Sequence, residues 1–161
     1  MKELKDEWCG IDKNIESVVA ALNARGIRTS GSCEGHSNLN SPVPWVSISA
    51  GTEAEERGML AKENDKLRAK TQALLDEFYQ NRSVAENVKI VISNGVASFW
   101  LHNGGELFKA WRKYVDEIVE SKKSGKPITL RRPQEGIEDF ESQLPILQKE
   151  FQDFAEFLKS K

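Results

Sequence analysis

The chain has 161 residues, 39% of them hydrophobic and 30% charged, with a formal net charge of −2. That length supports one domain with its own core, or one domain with an appendage. No apolar run approaches the ~18 residues of a membrane span, so no membrane partner is expected, and the charge balance gives no global case for a nucleic-acid surface. Residues 1–7 are charged and lack the apolar stretch of a secretory signal. Cys9 and Cys33 are too few for a disulfide framework, so free thiols in a reducing, cytoplasmic setting are expected.

In chain order, the first helix has Asp12 as cap, with Ile15, Val18, Val19 and Leu22 on one face and Gly26 as the residue that ends it. A strand over 27–32 follows, then a loop rich in Ser, Asn and Pro, then a strand over 45–50 with Val46, Ile48 and Ala50 on one face. Thr52 and Glu55 form a capping box for a long helix over 52–81, whose thin early apolar stripe predicts a first half that packs lightly or projects. Asn94-Gly95 between two alternating runs predicts a two-residue hairpin turn within 88–102. That turn would pair Ser93 with Val96, Ile92 with Ala97, Ile90 with Phe99 and Val88 with Leu101. A helix over 106–122 follows, with Leu107, Trp111, Tyr114, Val115 and Ile118 as its buried stripe. The C-terminal segment repeats apolar residues at Ile137, Phe140, Leu144, Leu147, Phe151, Phe154 and Leu158, with a kink or helix junction expected at Pro145.

These elements predict an α+β fold: an antiparallel sheet of about four strands flanked by helices, with a C-terminal helical arm. The division is a domain over 1–132 and an arm over 133–161, packed on the domain, on a partner helix or on a second copy as a homodimer. Charge is uneven: 109–132 holds eight basic against three acidic residues, whereas 133–161 holds seven acidic against three basic. The first run is either a solvated helix and loop or a local anion-binding patch.

The chemistry concentrates in Gly31-Ser32-Cys33-Glu34-Gly35-His36, where three reactive side chains fall within four residues beside glycine. Cys33, Glu34 and His36 are the candidate catalytic residues. Cys33 could be a nucleophile with His36 or His102 as base, a metal ligand or a buried free thiol. As a nucleophile it would be the more reactive thiol, with His36 favouring thiolate and Glu34 opposing it. Cys33-x-x-His36 has zinc-like spacing, and Cys9 and His102 would complete four ligands, but so thin a motif leads to no metal assignment. The sheet face opposite the core would present Ser30, Ser32, Trp45, Ser47, Trp100 and His102 as a ligand platform, unless the C-terminal helix covers it. That covering is the favoured expectation, because bare tryptophan pairs are costly.

The order helix, Ser-Cys-x-Gly strand end, Trp-x-Ser strand, helix and Leu-His strand end resembles the tRNA wybutosine-synthesis methyltransferase family. The matching positions are Ser32, Cys33, Gly35, Trp45, Val46, Ser47, Leu101 and His102, and the likeness spans about 11–114. Where that family has Arg, a second Ser and a His-Asp pair, this chain has His36, Glu34 and Ile48-Ser49. The Gly-Ser-Cys-Glu-Gly-His and Pro-Trp-Val arrangement also resembles that of uncharacterised bacterial proteins. The resemblance implies a methyltransferase-like, nucleotide- or RNA-related protein. Two function classes follow: a small ligand-binding or enzyme-like protein acting on a polar metabolite or nucleotide at the Cys33–His36 turn, its cofactor unknown, or a non-catalytic interaction module using the C-terminal helix.

Overall fold

The computed structural model describes residues 11–36, 41–50, 60–95 and 98–161. Helix α1 (Glu16–Ala24) leads to strand β1 (Thr29–Cys33), strand β2 (Trp45–Ile48) and helix α2 (Ala61–Tyr79). Strands β3 (Val91–Asn94) and β4 (Phe99–His102) precede helix α3 (Glu106–Ser124), a short 3-10 turn (Pro133–Gly136) and helix α4 (Phe140–Lys159). The strands form one antiparallel sheet in the order β1-β2-β4-β3. The α+β class with a C-terminal helix is thus as the sequence predicts. The capping box at Thr52 and Glu55 lies outside the described residues. No described helix is long and apolar enough to cross a membrane.

Helix α1 ends as expected. Gly26 adopts φ +76°, its N–H donates to the Asn23 carbonyl, and the Ile27 N–H reaches back to the Leu22 carbonyl. These two hydrogen bonds satisfy two carbonyls of the last turn and fix where the chain leaves for β1. The other end differs: Ile15 holds the cap position with no side-chain cap bond, and Asp12 is used elsewhere.

The hairpin register is corrected by four residues. Ile92 pairs with Leu101 and Asn94 with Phe99, and the Gly95 N–H donates to the Ser98 carbonyl across the turn. The displacement is even, so every side chain keeps its face. Ile90, Phe99 and Leu101 are buried, and Ile92 packs against them half-buried.

Strand β1 carries an irregularity between Thr29 and Gly31. Such a bulge inserts one residue and reverses the faces beyond it. Ser30 keeps its place beside Ser47, hydroxyl to hydroxyl at 2.9 Å, but Ser32 pairs with Val46. Ser32 therefore leaves the row of Ser30, Ser47 and Trp100 in which the alternation placed it.

The main core joins Ile15, Val18 and Leu22 of α1, Val46, Ile48, Phe99 and Leu101 of the sheet, Leu75 and Phe78 of α2, and Phe151, Phe154 and Leu158 of α4. The arm is thus built into the core of its own chain. Helix α4 is continuous through Pro145, contrary to the expected junction. The proline is the sixth residue of the helix, where it removes only the bond to the Glu141 carbonyl. Arg25 ties the far end down, its guanidinium donating to the Leu158 carbonyl at 2.9 and 3.1 Å. Glu150, 2% exposed, accepts from Arg82 and from the Tyr79 hydroxyl.

The other sheet face is covered by α3 rather than by the C-terminal helix. Phe108 stacks on His102 at 3.6 Å between ring centroids, and Trp111 lies 6.4 Å from both Trp45 and Trp100. Only Leu147 of α4 joins this second cluster, with Val43 and Phe108. Of α3, Phe108 alone is buried; Leu107, Trp111, Tyr114, Val115 and Ile118 are half-buried, not the sealed stripe expected. A four-residue strand spans about 13 Å and a 19-residue helix about 28 Å. Much of α3 therefore runs past the sheet.

Candidate functional site

Strand β1 ends at Cys33, and the chain turns through Gly35 at φ +88°. A Cβ at Gly35 would stand 2.6 Å from Leu144 Cδ1 and 3.1 Å from the Val43 carbonyl carbon. Both the backbone angle and the crowding therefore require glycine. Three elements hold this turn. The Glu34 N–H donates to Asp12 Oδ2 at 3.1 Å, Gln148 Nε2 of α4 donates to the Glu34 carbonyl at 2.9 Å, and the His36 N–H donates to the Ser41 carbonyl at 2.7 Å.

The turn brings Cys33 and His36 together with Asp12. A carboxylate oxygen, Sγ and a ring nitrogen from these three all lie within 4.8 Å of one another. His36 Nε2 is 3.6 Å from Asp12 Oδ2, with both side chains about one-third exposed. The sequence marks Asp12 only as a helix cap. It does bind a backbone N–H, but that of the turn, 22 residues away, and no local spacing signals such a contact. Glu34 points differently: its Oε2 accepts the Asn14 N–H at 2.9 Å, so it clasps the entry to α1.

Cys33 is 6% exposed. Burial pushes its thiol up to about 11, opposed by the Gly35 N–H at 3.4 Å from Sγ and reinforced by the Asp12 and Glu34 charges. At neutral pH a thiol so placed is about one part in ten thousand thiolate. Burial thus works against the nucleophile reading. Cys9, its proposed companion, lies outside the described residues.

His102 is not the base. It sits on β4, separated from β1 by β2, about 10 Å of backbone spacing. Its Nε2 lies 2.6 Å from the Ser93 hydroxyl, its ring is stacked on Phe108, and burial lowers its pKa to about 4. Of the remaining platform residues, Ser30, Ser47, Trp45 and Trp100 do gather, and Ser32 does not. Trp45 pairs with Cys33 on one side and His102 on the other, and its ring lies 4.4 Å from that of Trp100. Both tryptophans are half-buried, and Arg112 stands 5.0 Å above the Trp100 ring. Trp45 Nε1 is buried with no hydrogen-bond partner among the described residues.

A separate open groove between α2 and β3 is lined by Asp65, Arg68, Gln72, Ile92 and Asn94 and holds none of these residues. No known protein family, curated protein or solved structure matches the chain.

Proposed function

We propose that the chain binds a small polar ligand of nucleotide type at the Cys33–Glu34–Gly35–His36 turn, with Trp45 and Trp100 beside it as a stacking surface. The observation that carries this reading is the convergence of Asp12, Cys33 and His36 on a turn pinned by three elements. Ionisable groups collected at a strand end are where a rigid scaffold presents chemistry. Aromatic faces beside them suit a base, and Arg112 suits a phosphate. The sequence likeness to the tRNA wybutosine-synthesis methyltransferases supports the same ligand class, since its matching residues lie on the turn and on β1, β2 and β4, neighbours in the sheet. A reducing, cytoplasmic setting belongs to this reading, because Cys33 is a free thiol among the described residues.

The interaction-module reading has no comparable observation behind it. Phe151, Phe154 and Leu158, which would anchor a partner helix, are filled into the chain's own core.

Thermal shift with AMP and with S-adenosylmethionine as probes tests the proposal. At least one should raise the melting temperature of the wild type, and His36→Ala and Arg112→Ala should shrink that rise. No rise with either probe, or equal rises in both variants, contradicts it.

A further inference from the structure

We propose that Asp12, Cys33 and His36 bind a divalent cation of the zinc class. This rests on the reading of the turn as the chain's site and gives that site its first ligand.

The donor set is one carboxylate oxygen, one sulfur and one imidazole nitrogen. Magnesium and calcium select oxygen donors, whereas mixed sulfur and nitrogen sets select zinc and its neighbours. The geometry is close to closed. Zinc ligands at about 2.0–2.3 Å in a tetrahedron lie roughly 3.4–3.8 Å apart. Asp12 Oδ2 and His36 Nε2 are already 3.6 Å apart, and no pair of the three ligand atoms exceeds 4.8 Å. A contraction of about 1 Å therefore completes the site. Rotation of the Cys33 and His36 side chains can supply it, because the Asp12 carboxylate is already held by the Glu34 N–H, and the backbones of Glu34 and His36 are tied to Gln148 and Ser41. Glycine between the sulfur and nitrogen ligands lets both turn inward, and its φ of +88° is the conformation that places them there. Three protein ligands leave a fourth position of zinc open, as in sites that take a water or a substrate oxygen. A phosphate or carboxylate oxygen of the bound metabolite is the ligand this fourth position would receive.

Titration of the reduced full-length protein with cobalt(II), with no nucleotide present, tests the site. The expected result is a thiolate-to-cobalt charge-transfer band that saturates at one equivalent and is displaced by zinc. Cys33→Ser should abolish the band. His36→Ala and Asp12→Asn should weaken binding at least about tenfold, and Cys9→Ser should leave it unchanged. Circular dichroism of each variant checks folding; should Cys33→Ser fail to fold, the partly exposed His36 carries the test. No band in the wild type, a band that survives in folded Cys33→Ser, or a band that needs Cys9 would overturn the proposal. A cobalt band without any thermal shift from AMP or S-adenosylmethionine keeps the metal site and removes the nucleotide reading. A His36-dependent nucleotide shift without a band removes the metal site alone.

Discussion

Two histidines of one short chain show how position decides what a residue does. His36 stands at the partly exposed turn beside Asp12. His102 is 3% exposed, and burial, aided by the Lys109 charge and opposed by the Asn103 backbone, lowers its pKa to about 4 from 6.5. Its folded state thus prefers the neutral ring. Stability from this group is complete above about pH 6.5, declines as pH falls toward 4 while only the unfolded chain takes the proton, and changes no further below that. The full loss is on the order of 3 kcal/mol. Chemical denaturation at about pH 7 and about pH 5 should show the wild type losing stability that His102→Gln retains. Parallel pH slopes in the two proteins would contradict it. At this scale the sequence shows Cys33 and His36 as neighbours, because they are close in the chain. It hides Asp12, whose contact with the turn spans 22 residues.

A turn and a helix carry the next tests. Gly35→Ala places a Cβ against the Val43 and Pro44 backbone at a left-handed angle. The expected cost is about 1–3 kcal/mol, read as a lowered denaturant midpoint, and an unchanged midpoint would show that the turn is not held as described. Phe151 is fully buried within the core shared by α1, the sheet and α4. Phe151→Ala should cost about 3–5 kcal/mol, independent of protein concentration; a stability loss that depends on concentration would return the arm to the role of an interface. Periodicity made the elements themselves legible: α4 buries the stripe it marks, Gly26 marks the end of α1, and α3 has the expected span, although its one buried residue is Phe108, off the expected stripe. Alternation is less informative about register. It reports only the face of each residue, so the pairing of Ile92 with Leu101 and the pairing of Ile92 with Ala97 satisfy the pattern equally. Asn94-Gly95 pointed to the second, whereas the turn closes from Gly95 to Ser98. The bulge at Ser30 is likewise invisible to a strict period of two.

For the whole molecule, the architecture explains why one corner is chemically distinct. Helices α1, α2 and α4 enclose the core on one side of the sheet, and α3 lies over part of the other through Phe108 and Trp111, leaving Trp45 and Trp100 half-buried. The end of β1 is the place where the entry to α1, the chain before β2 and the middle of α4 all meet, through Asp12, Ser41 and Gln148. The fold class followed from the order of helices and strands, but which helix covers which face did not. Both α3 and α4 have apolar stripes long enough to cover a four-stranded sheet, and packing alone assigns them. This corner is the proposed ligand site. Amide-correlation NMR of the isotope-labelled protein titrated with AMP tests it most directly. The largest shifts are expected on Cys33 to His36, on Asp12 and on the Trp45 and Trp100 indoles. Shifts confined to the α2–β3 groove around Arg68 and Asn94, or none at saturating AMP, would contradict it.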